Sequence, residues 1–184
     1  MAHRDDVPAI MAVVRASIDD LQRDFLQAAQ IRASRTLVGI DTRLVDDRTY
    51  FAVECDSRIV GCGGWSRSAE LFGGGESDGR DPMDTADVRA MYTHPDFVRR
   101  GVGRLILMRC EEAAAEGFSS LELMATMAGR LLCEAVGFVE VEDVVGDADG
   151  VDVPSVRMRK HNSSTGSVGG CAQSTDRCHG RTDQ

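Results

Sequence analysis

The sequence predicts one mixed α/β domain over residues 1–160, followed by a short disordered tail over residues 161–184. Three observations carry this. The hydrophobic period switches from helical to alternating near Thr49 and back to helical after Gly101. A glycine turn, "HPDFVRRGVGRLIL" (His94 to Leu107), joins a strand-like run to a helix-like one. After Lys160 the apolar content collapses, with Val168 the only sizeable aliphatic residue, too little to order the segment.

The elements follow in order. Asp5 and Asp6 before Val7-Pro8 read as a helix start, an acidic N-cap with proline in the first turn. Ile10, Val13, Val14 and Ile18 then form one apolar stripe. "LQRDFLQAAQIRAS" continues as a second helical pattern with Leu21, Phe25, Ala28 and Ile31 on one side. "TYFAVEC" and "IVGCGGW", joined at Asp56-Ser57, predict a hairpin. The stretch from Ser66 to Thr85, rich in glycine and acid, reads as a long exposed loop. "DVRAMYT" is a strand that stops at His94-Pro95. The helix "VGRLILMRCEEAAAEG" buries Val102, Ile106, Cys110, Ala113 and Ala114 and ends at Gly117 as its cap. "SSLELMA" alternates as a strand, "MAGRLLCEAVG" is a short helix ending in Gly137, and "FVEVEDV" and "VDVPSVRMRK" are two last strands around "GDADG".

A formal charge of −9 argues against a nucleic-acid-binding protein with a broad basic face. No apolar run approaches the roughly 18 residues of a membrane span, and "MAHRDDVPAI" lacks a signal-peptide core, so a cytoplasmic protein without membrane contact is expected. Cys55, Cys62, Cys110 and Cys133 sit in apolar-patterned segments and read as free structural thiols. Cys171, Cys178 and His179 lack a fourth ligand and a paired CxxC, so no metal site is expected.

The glycine turn is not a dinucleotide fingerprint, because the third glycine position is Ile106 and no parallel βαβ unit opens there. It is not a Walker loop either, since no glycine-lysine-hydroxyl ending follows. What remains is a strand, a tight turn and a helix N-terminus. Gly101 and Gly103 leave successive N–H groups unobstructed, the helix dipole favours an anion, and Arg99, Arg100 and Arg104 add positive charge. Taken alone, the turn fits a diphosphate cradle and a glycine-rich helix cap equally well.

At this point the chain resembles the GNAT superfamily of N-acetyltransferases from about Asp5 to Lys160, lacking a complete first strand. "RAMYTHPDFVRRGVGRLIL" resembles the family's acetyl-CoA motif, "GRLLCEAVGF" its closing motif and "YFAVECDSRIVGCGGW" its central hairpin. The resemblance implies a mixed central sheet with splayed middle strands, flanked by helices. It implies acetyl-CoA as cosubstrate, its pyrophosphate on the amides of Arg99, Arg100, Gly101, Val102, Gly103 and Arg104. Its pantetheine arm would pair with the backbone of Met91, Tyr92 and Thr93. The partner implied is an amine acceptor of a small molecule or protein, attacking the thioester directly, with an N–H near Met91 steadying the oxyanion.

Three positions depart from the family pattern: Val98 at the turn's first place, Thr126 for the asparagine before the last short helix, and Cys133 for the usual tyrosine acid. Cys133 as the acid, water as the acid, a weakly active site and a buried space-filling thiol all stand as readings, and an acetyl-cysteine relay ranks last. The base is unmarked; Glu54 in the hairpin and Asp87 at the entrance of the coenzyme strand are the carboxylate candidates. Trp65 and the acidic loop after it are expected to border the acceptor site, where acid suits a cationic amine. A second reading is a catalytically reduced acetyl-CoA-binding module with a regulatory role. Oligomeric state, a homodimer included, is written in no motif.

Overall fold

The alternating runs become six strands: β1 (Tyr50–Cys55), β2 (Arg58–Ser66), β3 (Thr85–Thr93), β4 (Ser120–Thr126), β5 (Val139–Ala148) and β6 (Val151–His161). The helical runs become α1 (Val7–Leu21), α2 (Ala28–Leu37), α3 (Arg43–Asp46), α4 (Val102–Ala114) and α5 (Arg130–Ala135). These come from a computed structural model that describes residues 1–37, 39–67 and 84–162. The strands form one sheet in the order β1-β2-β3-β4-β6-β5. Every neighbouring pair is antiparallel except β3 and β4. A parallel pair needs a crossover, and α4 supplies it.

Each face of the sheet has its own core. On one, Ile106, Leu107 and Cys110 of α4 meet Val60, Val88, Leu121 and Phe138. On the other, the stripe Ile10, Val13, Val14 and Ile18 of α1 packs with Leu44, Tyr50 and Cys62. The β1–β2 hairpin turns at Asp56 and Ser57, both left-handed (φ 50° and 60°). That geometry matches the right-handed twist of the flanking strands.

Several boundaries differ from the sequence expectation. The second helical pattern is broken: α1 stops at Leu21, α2 starts at Ala28, and Phe25 lies exposed in the turn while Leu26 takes the buried place. Asp6 does not cap α1 with its side chain; its carboxylate accepts from the N–H of His3 across a short 3-10 turn. α4 ends at Ala114, before Gly117, because the N–H groups of both Gly117 and Phe118 turn back to the carbonyl of Ala114. That brings the Phe118 ring edge-on to Trp65, with centroids 6.0 Å apart. The domain also runs past Lys160. β6 reaches His161, and Asn162 is tied to Ser119 by main chain (2.7 Å) and to the Phe118 carbonyl by side chain (2.9 Å). The expected tail beyond that, and residues 68–83 of the expected loop, lie outside the described residues.

Gly64 shows how tightly β1 and β2 close over the α1-side core. A Cβ there would lie 2.5 Å from the carbonyl oxygen of Thr49 and 2.6 Å from the Tyr50 ring. Gly64→Ala is therefore expected to destabilise the fold by about 1–3 kcal/mol through overpacking, read as a lower urea midpoint at unchanged m-value. A variant as stable as wild type contradicts this packing.

Candidate functional site: a cleft through the sheet

β3 and β4 pair only from Thr85↔Ser120 to Val88↔Leu123, although both strands continue. Where pairing stops, β3 carries a bulge. Its Arg89 lies opposite Gly64 and its Tyr92 opposite Cys62, so two residues, Ala90 and Met91, face the single Gly63. Ala90 takes a left-handed conformation (φ 51°), which costs a non-glycine residue about 1 kcal/mol. A buried hydrogen bond offsets that cost: the Tyr50 hydroxyl donates to the Ala90 carbonyl at 2.6 Å, with Tyr50 wholly inaccessible. After the bulge, Met91 faces the α4-side core while Ala90 and Tyr92 face the α1 side. A Cβ on Gly63 would sit 2.9 Å from Met91 Cγ, so the missing side chain makes room for this switch.

The gap between the strands opens a cleft of about 470 Å³, within the range of small-ligand sites. Met91, Tyr92 and Cys133 line it together, with Ala125, Thr126 and Gly129 from the β4–α5 side. Gln22, Ser34 and Asp41 line it from the α1–α3 side, so the cleft reaches from one face of the sheet to the other. Thr126 does more than form the wall: its hydroxyl oxygen accepts from the Gly129 N–H at 3.2 Å, closing the turn into α5. Asp41 stays ionised, its carboxyl held below the usual range by hydrogen bonds from Arg43 and, more weakly, by the charge of Arg89.

Beyond the cleft, α4 begins at Val102 with Gly101 as N-cap (φ 83°), preceded by Arg99, also left-handed (φ 61°). The first main-chain bond of the helix runs from Leu105 N–H to the Gly101 carbonyl, which leaves the preceding amides free of intrahelical partners. Among the described residues, nothing lies within 4 Å of a Cβ built on Gly101. Its glycine is required by conformation, and the space beside it is open. Gly103 is different: a Cβ there would lie 2.6 Å from Leu132 Cδ2, so its smallness serves the packing of α5 on α4. Arg99, Arg100 and Arg104 are exposed, with the Arg100 guanidinium 5.0 Å from the Phe97 ring centre. His94 is spent on local structure, its Nδ1 accepting from the Asp96 N–H.

The two carboxylates nominated from sequence do not reach the cleft. Glu54 is exposed at the end of β1, opposite Ile59. Asp87 is wholly buried, not at a strand entrance: it sits where β3 still pairs with β4, opposite Glu122. Glu122 in turn receives the Nε of Arg159 at 2.7 Å. Cys133 does line the cleft, as a 2% exposed thiol that burial, and then the charge of Glu134, push up to about 11. Sequence reasoning missed Tyr50, Gln22 and Asp41. Their only signals were a tyrosine opening a strand and polar residues at helix boundaries.

Comparison with known proteins adds the following. A sequence-family profile described as an acetyltransferase (GNAT) domain matches residues 46–140. No curated protein matches the chain. Among solved structures, a GCN5-related N-acetyltransferase from Rhodopseudomonas palustris is similar at TM-score 0.66 and 22% identity, over 87% of this chain and 92% of that one. YncA, described as a putative acetyltransferase, from Salmonella typhimurium with acetyl-CoA gives TM-score 0.59 and 15% identity, over 92% and 96%. The PaiA N-acetyltransferase of Thermoplasma acidophilum, in complex with coenzyme A, gives 0.56 and 15%, over 87% and 95%. At these identities the structures establish the fold alone.

A thiol that is both buried and pushed to about 11 holds almost no thiolate at neutral pH. With iodoacetamide at pH 8, the exposed Cys55 is expected to alkylate at least about tenfold faster than Cys133, followed peptide by peptide by mass spectrometry. Equal rates would show an activated Cys133 and revive the covalent relay.

Proposed function

Because the chain belongs to the GNAT acetyltransferase family, we propose that it moves the acetyl group of acetyl-CoA to an amine by direct attack. The observation that supports this most strongly is the interrupted β3–β4 pairing, which opens one cleft to both faces of the sheet. The α4 side suits the coenzyme. The amides from Arg99 to Arg104, without hydrogen-bond partners among the described residues, with space beside Gly101 and three arginines around it, fit a pyrophosphate. The unpaired edge of Met91, Tyr92 and Thr93 fits the amide-bearing pantetheine arm as an added strand. The acceptor then enters from the α1–α3 side.

In the reaction, the amine nitrogen attacks the thioester carbonyl carbon. The N–C bond forms, the C–S bond breaks, the amine proton passes to water in the cleft, and the thiolate of coenzyme A takes a proton in return. The N–H near Met91, aimed by the bulge, steadies the oxyanion of the intermediate. Neither Glu54 nor Asp87 touches the cleft, and of the carboxylates that do, Asp41 is held by Arg43, which lowers its basicity, and Asp147 accepts from the Gly150 N–H, so water takes the amine proton in this scheme. Cys133 is a poorer acid than its place suggests. At about 11 it lies above the ordinary thiol pKa of about 8.5, so giving its proton to a coenzyme A thiolate is uphill. The proton that water takes from the amine passes on to the thiolate, and Cys133 serves as wall.

The raised thiol also favours the second reading, a coenzyme-binding module with reduced activity. Release of coenzyme A thiol from acetyl-CoA, measured across an amine panel, separates the two. Turnover with Cys133→Ala within about threefold of wild type supports water as the acid; loss of turnover there with retention in Cys133→Tyr assigns the thiol. Binding of acetyl-CoA without turnover of any amine, with activity gained in Cys133→Tyr, establishes the module. Gly101→Val should weaken acetyl-CoA binding at least about tenfold by calorimetry, because valine resists the left-handed cap; unchanged binding would remove the cradle from α4. Tyr50→Phe unpins the bulge and should lower kcat about tenfold while the acetyl-CoA KM holds; an unchanged kcat would detach the bulge from the oxyanion site.

A further inference from the structure

One buried side-chain oxygen on the α1–α3 side of the cleft meets no hydrogen-bond donor among the described residues. Gln22 follows the last residue of α1, is only 6% exposed and lines the cleft. Its Oε1 is buried and has no hydrogen-bond partner among the described residues. The other polar groups on that wall are engaged. Ser34 Oγ donates to the Gln30 carbonyl at 2.8 Å, and Ser155 Oγ to the Val144 carbonyl at 3.2 Å. Asp41 accepts from Arg43, and Asp147 Oδ1 accepts from the Gly150 N–H at 3.4 Å. The local turn asks nothing of the glutamine side chain either. Its main-chain carbonyl takes the N–H groups of Phe25 and Leu26 at 3.0 and 2.9 Å, a job any residue can do. Leu26 and Leu44 stand on the same wall and offer no hydrogen bonds, so an apolar residue at position 22 would match its surroundings. A buried carbonyl oxygen without a donor destabilises a fold, and its retention calls for a partner outside it.

We infer that Gln22 is a specificity-determining residue for the acceptor, selecting amines that carry a second hydrogen-bond donor, an N–H or O–H group set apart from the nitrogen that is acetylated. This rests on the acetyltransferase reading above. The terminal torsion of glutamine is soft, so the carboxamide turns at little cost to present its oxygen to a bound donor. A site with a buried acceptor rejects an analogue that lacks the donor, because the acceptor stays unpaired in that complex. A purely alkyl amine of the same length leaves Gln22 unmet.

The test compares wild type with Gln22→Met, a side chain of similar length without the carbonyl, on three amines of matched length: an alkylamine, an amino alcohol and an amino amide. In wild type, kcat/KM for at least one donor-bearing amine exceeds that of the alkylamine by about tenfold or more. The amino alcohol and amino amide arms tell an O–H donor from an N–H donor. In Gln22→Met the ratio falls to near one, mainly by loss on the donor-bearing amine, while acetyl-CoA affinity stays unchanged. Because the substitution removes an unsatisfied buried group, its melting temperature equals or exceeds that of wild type; a structural role for Gln22 predicts the opposite. A wild type that acetylates amines with no preference for a second donor, or a variant that keeps the preference, overturns the inference and leaves the acetyltransferase reading standing. A wild type that acetylates no amine overturns that reading, and the inference with it.

Discussion

Everything in the site depends on one interruption. β3 and β4 hydrogen-bond as parallel neighbours as far as Val88 and Leu123 and then part. Were pairing to continue, no cleft would cross the sheet and Met91 would be one more ladder residue. Separation exposes main-chain groups that the strands would otherwise satisfy, a cost a buried sheet rarely bears without a ligand edge to add. The bulge at Ala90 and the Tyr50 hydroxyl that holds its carbonyl are the local means by which β3 leaves its partner. Upstream of the fork the sheet is held firmly. The rung Asp87, Glu122 and Arg159 ties β3, β4 and β6 together within the buried centre.

The glycines around the site answer to different constraints. Gly101 has open space and a left-handed backbone, so its side chain is absent for reasons of conformation. Gly103 has an ordinary helical position and a leucine pressed against it, so its side chain is absent for reasons of packing. Gly63 yields its volume to Met91 on the neighbouring strand and to Ile106 of α4. A sequence shows three glycines near one turn and hairpin; only the fold distributes the reasons.

The architecture was legible in the sequence because period and punctuation agree along the chain. Each apolar run at Thr49, Val88 and Leu121 alternates, the run from Val102 repeats at helical spacing, and Gly137 marks a helix end with its left-handed φ of 97°. The failures have a common cause. Phe25 fitted a helical pattern whose chain turns instead, Gly117 looked like a cap one turn beyond the true helix end, and Asp87 looked like an acid near a strand opening. Each depended on what a residue meets across the fold, which spacing does not carry. The same holds for Tyr50 and Gln22. Their roles lie in a carbonyl 40 residues away in one case and in an unmet hydrogen bond in the other. No local pattern records either.

The placement of β6 has a consequence for how the protein is made. The last of the described strands, β6, lies inside the sheet, between β4 and β5, with Met158 fully buried and Val156 nearly so. During synthesis, β1 to β4 can assemble as the chain emerges, but the far edge of β4 stays bare until residue 161 is free. Among the described residues β5 has no partner but β6, so it too must wait. Acquisition of the sheet is therefore delayed to the end of the domain, and for that interval the edge that later carries the Glu122–Arg159 pair is an open template for another chain. The first half of β5 carries the exposed acids Glu140, Glu142 and Asp143, charges that oppose pairing of the waiting strand with copies of itself.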